Sequence, residues 1–156
     1  MARPERSRRE DTEVRPIDMI VIHHTDTPTG TLESVRRYHM QTLHWSNIGY
    51  HYLITRDGKL HKGRANSEVG AHCKGDNATS IGVCCVGKGD ALPVGEGYMS
   101  QVMWDALLRL VRQLMSAYSI PISRVVGHRE RPSGREHGKT CPGFDVGVIR
   151  SLLRKG

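Results

Sequence analysis

The sequence predicts a single α/β domain in which a central mixed β-sheet is flanked by helices. Short β-branched runs ("IDMIVIHHTDT", "SIGVCCVG", "ISRVVG") alternate with segments whose apolar residues recur at helical spacing, the order of a layered α/β domain. One further pair of runs is joined by Asp57-Gly58, a dipeptide suited to the positive φ angles of tight hairpin turns, so an antiparallel pair joins the sheet and makes it mixed. A chain of 156 residues fits one domain. At that length it buries about two-thirds of its unfolded surface and folds without disulfide staples.

The opening "MARPERSRREDTEVRP" mixes arginines with Glu5, Glu10, Asp11 and Glu13, and reads as a charged, solvated tail over residues 1–16 ahead of a domain over 17–156. Charge from the first residues, with no apolar stretch behind it, is unlike a secretory signal peptide, so synthesis in a cytoplasm is expected. "IDMIVIHHTDT" is a buried strand closed by polar turn-formers, with His23 and His24 at its C-terminal end. "TLESVRRYHMQTL" places Leu32, Val35, His39 and Leu43 on one helical stripe behind Thr31 as N-cap. "GYHYLITRDGKLHKGR" is the hairpin, with Tyr50 and Tyr52 expected on one face. "SIGVCCVG" is an apolar strand in which Cys84 and Cys85 are core residues. From Ser100 to Tyr118, the residues Met103, Leu107, Leu110, Val111 and Leu114 hold helical spacing until Pro121 stops the helix. "ISRVVG" is a strand ending at His128, and Asp145 caps a last helix carrying Val148, Ile149, Leu152 and Leu153.

Composition narrows the function classes. No apolar run approaches the roughly 20 residues that cross a bilayer, so no transmembrane segment is expected. The four cysteines form no CxxC pair or spaced framework, which argues against a disulfide scaffold. A net charge of +7 with a pI near 9.5 favours an anionic partner. With aromatics at only 5%, the stacking residues of a nucleic-acid module are missing, so no nucleic-acid partner is expected.

Ligands of open α/β sheets gather at the carboxyl ends of strands. The histidines after "IVI" and after "RVVG" both lie at such ends, and a loop behind His128 can bring Cys141 to them. Two imidazoles and a thiolate leave one tetrahedral position open, the arrangement of a catalytic zinc site. His23 and His24 point to opposite faces of their strand, so one of them can ligate, and periodicity does not choose between them. The same residues also allow a cysteine hydrolase with Cys141 as nucleophile and His128 as base.

"VIHHTDT", "NIGYHYLITRDGKLHKGR", "VGAHCKGDNATSIGVCCVG", "VVGHRE" and "KTCPGFD", in this order, closely resemble the zinc-dependent N-acetylmuramoyl-L-alanine amidases of the peptidoglycan-recognition-protein type. The resemblance runs from about Ile17 to the end. It implies that family's fold and one Zn2+ per chain, held by His23, His128 and Cys141. It implies Tyr50 and Lys139 as catalytic residues, and His72 and Asn77 as lining of the substrate groove. Two departures stand out. The loop from His128 to Cys141 is longer than in the phage enzymes of the family, so Lys139 is placed by its spacing to Cys141. Asp76 stands where the family often has an aromatic residue.

The implied substrate is bacterial peptidoglycan, cut between N-acetylmuramic acid and the L-alanine of the stem peptide, and the implied chain is a monomer. Amide hydrolysis needs an activated water, a stabilised oxyanion and a protonated leaving amine; zinc supplies the first two. Tyr50 can orient the water or exchange a proton, and Lys139 can set positive charge against the oxyanion. There is no HExxH helix, so the glutamate base of many zinc peptidases is missing. A chain without a signal that acts on the cell wall fits a phage or prophage endolysin. A bacterial wall-recycling amidase and a peptidoglycan-binding module without activity are the alternatives.

Overall fold

The computed structural model describes residues 15–89, 97–136 and 140–155. Five strands, β1 (Met19–His24), β2 (Tyr52–Ile54), β3 (Leu60–Lys62), β4 (Ser80–Cys85) and β5 (Val125–Gly127), form one sheet in the order β3-β2-β4-β1-β5. The β1–β4, β1–β5 and β2–β4 pairs are parallel and β2–β3 is antiparallel, the mixed sheet expected from the hairpin. Asp57 and Gly58 do make the turn: the Gly58 N–H donates to the Thr55 carbonyl at 2.9 Å with Gly58 at φ +80°, and the Asp57 carboxylate accepts from the Thr55 hydroxyl at 2.6 Å.

Among the described residues four α-helices accompany the sheet: α1 (Leu32–Arg37), α2 (Gln101–Tyr118), α3 (Pro132–Glu136) and α4 (Gly147–Lys155). Thr31 caps α1 in a reciprocal box with Ser34, but the helix ends earlier than its stripe predicts. At Tyr38–Thr42 the chain opens into a wider turn, which keeps His39 buried and swings Leu43 out to solvent. Helix α2 covers one face of the sheet with Met103, Leu107, Leu110, Val111 and Leu114, all buried as their spacing predicts. Each such side chain contributes about 1.5–3 kcal/mol through burial. Ser119, in the left-handed region at φ 55°, ends α2, and the Ile120 N–H then donates back to the Met115 carbonyl at 3.0 Å. The Asp145 carboxylate accepts from the Gly147 N–H at 2.8 Å at the start of α4, whose Ile149 and Leu153 join the α2 core. Among the described residues no helix is long and apolar enough to cross a membrane.

Of the charged opening segment, residues 1–14 lie outside the described residues. Arg15 is buried, and its guanidinium donates to the Asn66 carbonyl at 2.8 and 3.0 Å and to the Ser80 carbonyl at 3.0 Å.

The two faces of the sheet differ. Ile20, Ile22, Ile54, Ile81, Val83, Cys85 and Val125 meet α2 and α4 in one large apolar core. The alternate residues, Met19, Val21 and Val126 with Cys73, and Leu53, Cys84 and Val86 with Tyr50, form two small clusters on the other face. Tyr50 and Tyr52 therefore lie on opposite faces, not on one: Tyr52 packs against the α2 core and Tyr50 against Cys84 and Leu53. The reason is local. Strand β2 begins only at Tyr52, and just before it the Nδ1 of His51 accepts the Gly82 N–H at 3.0 Å, so the alternation does not extend back to Tyr50.

Candidate metal centre

Strands β1 and β5 lie side by side in parallel with Ile22 opposite Gly127, so both chains leave the sheet at the same edge and deliver His23 and His128 together. Their ring centroids are 4.8 Å apart. Cys141 comes from the loop before α4. The Arg129 N–H donates to the Cys141 carbonyl at 2.9 Å, and the Tyr98 hydroxyl donates to the Pro142 carbonyl at 2.6 Å, which hold that loop over the strand ends. Gly127 allows the approach, since a Cβ there would come within 2.8 Å of Val146 and 3.0 Å of Pro142. The Cys141 Sγ accepts the His24 main-chain N–H at 3.1 Å.

One ligand atom each from His23, His128 and Cys141 lie within 4.8 Å of one another, so this set could hold a metal ion. Two imidazoles and a thiol suit zinc rather than magnesium or calcium. The choice within the histidine pair follows from strand parity. His23 continues the face of Met19 and Val21 and turns to His128, whereas His24 turns to the α2 face beside Tyr98, at 5.8 Å between rings, with Asp26 3.9 Å from its Nε2. Burial, and after it the neighbouring His72, His128 and His24 rings, hold the His23 imidazole well below the ordinary histidine range. It is therefore neutral, the form that ligates metal.

The cavity at this point is about 230 Å³, with His23, His128, Cys141, Tyr50 and His72 in its walls. It meets a larger hollow of about 470 Å³ on the α1 side at Tyr50, Thr25 and Asp26, and one of about 310 Å³ on the other side at Tyr50 and His72. Together they make a groove with the three candidate ligands in its middle section.

The Tyr50 ring lies 5.2 Å from that of His23. Burial, then the Cys84 and Cys141 thiols, push the phenol well above its ordinary value, so it keeps its proton. The Nδ1 of His72 lies 2.9 Å from the Nε2 of His23. Asn77 borders the outer hollow, and its Oδ1 accepts the His72 and Cys73 N–H groups at 2.9 Å each, which fixes the loop bearing His72. Asp76 is half of a bidentate ion pair with Arg131 at 2.9 and 3.0 Å, and that guanidinium holds its carboxyl below the usual carboxylate range. Lys139 falls outside the described residues; its neighbour Thr140 lines the cavity.

Three contributors are not singled out by sequence reasoning. The His39 and Trp45 rings meet at a tilt, 4.6 Å between centroids, and His39 packs on Tyr50 at 5.4 Å, which backs Tyr50 from the α1 side. Ser133, on α3, has its hydroxyl 3.3 Å from the Nε2 of His128. None of the three belongs to a spaced motif. A histidine within an amphipathic stripe and a serine within "RPSGRE" carry no signal of their own.

Comparison with known proteins shows what the chain is similar to. The family model described as N-acetylmuramoyl-L-alanine amidase matches residues 13–144. An endolysin of Escherichia phage T7 is 32% identical over 149 residues, covering 94% of this chain and 90% of that protein. Among solved structures, the N-acetylmuramoyl-L-alanine amidase LysC from Clostridium intestinale superposes with a TM-score of 0.75 at 29% identity, covering 92% of this chain and 89% of LysC. The peptidoglycan recognition protein PGRP-SA of Apis mellifera superposes with a TM-score of 0.69 at 29% identity, covering 83% and 78%.

Proposed function

This chain belongs to the N-acetylmuramoyl-L-alanine amidase family, and on that premise we propose that it cleaves peptidoglycan between N-acetylmuramic acid and L-alanine with one zinc ion held by His23, His128 and Cys141. The observation that carries this reading is the meeting of those three donors at the carboxyl ends of β1 and β5, in the middle of a groove. Zinc bound there supplies Lewis acidity, which acidifies water and polarises an amide carbonyl.

The remaining work falls to the protein. Tyr50, protonated beside His23, donates a hydrogen bond towards the reacting amide and orients the attacking water. Lys139, two residues before Cys141, sets its ammonium against the developing oxyanion. His72 and Asn77 shape the wall of the groove on the side away from α1. The division at residue 17 between a charged leading segment and the amidase domain belongs to the same reading. So do the monomeric state and the action on the bacterial wall as a phage endolysin, the second of which its endolysin relatives support. The charge of +7 favours approach to an anionic wall.

A cysteine hydrolase built on Cys141 and His128 would leave the burial of His23 against both of them without a purpose, and metal removal would not stop it. Digestion of purified peptidoglycan with and without chelator decides. New alanine amino termini without new reducing sugars, abolished by chelator and restored by zinc, are expected. Chelator-resistant release of amino termini would sink the metal reading, and new reducing sugars would sink the bond assignment.

A further inference from the structure

His72 occupies a position that substrate contact alone does not explain. Its Nδ1 lies 2.9 Å from the Nε2 of His23, and its Nε2 lies 3.3 Å from the Ser80 hydroxyl oxygen. The Ser80 hydroxyl has a single proton, and it donates that proton to the Asp76 carbonyl at 2.7 Å. At the longer contact Ser80 Oγ is therefore the acceptor, and His72 Nε2 carries the hydrogen. A neutral imidazole protonated at Nε2 accepts at Nδ1, so the 2.9 Å contact runs from His23 Nε2–H to His72 Nδ1. That leaves Nδ1 as the nitrogen with which His23 can meet a cation.

The ring is held in this place from below. A Cβ on Gly82 would lie 2.6 Å from two ring carbons of His72 and 2.9 Å from its Nδ1, and a Cβ on Gly70 would lie 2.7 Å from Cδ2. Only glycine at 82, in the middle of β4, lets the imidazole lie flat on the sheet beside β1. The line of bonds also continues past Ser80. The Asp76 carboxylate grips Arg131, and the Arg131 N–H donates to the His128 carbonyl at 3.0 Å. The loop that carries His72 is thereby tied to the strand end that carries His128, and Asp76, the departure from the family pattern, is the tie.

We propose that His72 is a positioning residue for the metal centre: it accepts the His23 Nε2–H, fixes that imidazole with Nδ1 available to the metal, and is itself fixed by Ser80 and by the bare backbone of Gly82. The inference rests on His23 being a ligand, as proposed above. Partners of this kind orient a ligating histidine and raise its basicity, and their removal costs about 10–100-fold in metal affinity.

Two measurements test it. Long-range 1H–15N correlation spectra of the zinc-loaded wild-type protein report each ring's tautomer directly. His23 and His72 should both be protonated at Nε2; a His23 protonated at Nδ1 overturns the inference without any variant. Zinc affinity by competition with a chromophoric chelator is then compared between wild type, His72→Ala and His72→Gln. Alanine should weaken zinc by about 10–100-fold. Glutamine, whose carbonyl can accept the His23 N–H, should recover most of it. Wild-type affinity in His72→Ala, or no recovery in a folded His72→Gln, overturns the positioning role. If His72→Ala fails to fold, the tautomers and the glutamine variant still decide. If wild type takes up no zinc, or Cys141→Ala binds it as tightly as wild type does, it is the metal reading that has failed, and the inference falls with it. Zinc tight in wild type, lost in Cys141→Ala and untouched in His72→Ala condemns the inference alone.

Discussion

The two faces of this sheet are built from the same five strands, yet they have almost nothing else in common. Towards α2 and α4 the alternate residues are isoleucines and valines with Cys85, sealed by Trp104, Leu107 and Leu110 into a continuous apolar core. On the other face the apolar clusters are small, and imidazoles fill the space between them: His23, His51 and His72 are all buried there. Buried neutral imidazoles contribute less burial energy than isoleucines and must each find hydrogen-bond partners. The difference teaches that one face supplies the stability against which the other can hold unfavourable chemistry in place. Because strand residues alternate, the two tasks are divided position by position within a single strand, as between Ile22 and His23 in β1.

If that division is real, damage to one face should leave the other's property intact. The largest effect is expected from Cys141→Ala. Zinc should fall from one per chain to none and hydrolysis to background, while the α2 face still gives a cooperative melt. Metal analysis beside a thermal melt checks it, and zinc retained in the variant would put the centre elsewhere.

Tyr50→Phe comes next. It removes only a hydroxyl beside His23, so zinc content and wall binding should persist while single-turnover hydrolysis of a defined muramoyl-peptide falls by roughly a hundred- to a thousandfold, about 3 to 4 kcal/mol of transition-state stabilisation. Loss of zinc in this variant would mean that the tyrosine is a structural support.

The converse damage is Leu107→Ala, in the middle of α2 and fully buried. It should cost about 2–5 kcal/mol in denaturant melts by leaving a cavity. Zinc stoichiometry and turnover per folded molecule should not change, and a drop in turnover at constant folded fraction would show that the two faces are coupled.

One more test sharpens the contrast without a mutation. His39 and His51 each accept a main-chain N–H at Nδ1, from Gly49 at 2.9 Å and from Gly82 at 3.0 Å, and burial brings both down to about 4. Protonation would set N–H against N–H. Their folded values lie below the unfolded value of roughly 6.5, so the unfolded chain takes up protons first as pH falls. The stability they contribute is complete above about pH 6.5 and is lost progressively towards pH 4. His23 and His72 act in the same direction. Melting of the zinc-free protein should therefore fall steadily over that range, and a flat profile would contradict the assignment of neutral, amide-bonded imidazoles.

Much of the fold is legible because it depends on near neighbours in the chain. The stripe of α2, the cap of α1 at Thr31, the turn at Asp57-Gly58 and the start of α4 at Asp145 are local physics, and each holds in three dimensions. What fails is extrapolation of a period across a break. The α1 stripe does not run on to Leu43 because the turn widens at Tyr38, and the alternation of β2 does not reach back to Tyr50 because the chain bends at His51. The site is legible as a set of donor types at strand ends, but Ser133 and His39 join it only through contacts between distant segments.

By itself the sequence determined the order of strands and helices, the mixed sheet, and the two strand ends and loop from which an imidazole, an imidazole and a thiol could come. Only the tertiary structure shows that His23 turns to His128 while His24 turns to Tyr98, because a strand's alternation says that two neighbours face apart but not which face α2 will cover. It likewise sets His72, a groove residue, against His23, since the bond between them spans 49 positions in the chain and depends on a glycine in β4 with no side chain to stand in the way. Local interactions can be read along a chain; the parity of a sheet and the meeting of two rings across it are set by packing between segments that the sequence keeps far apart.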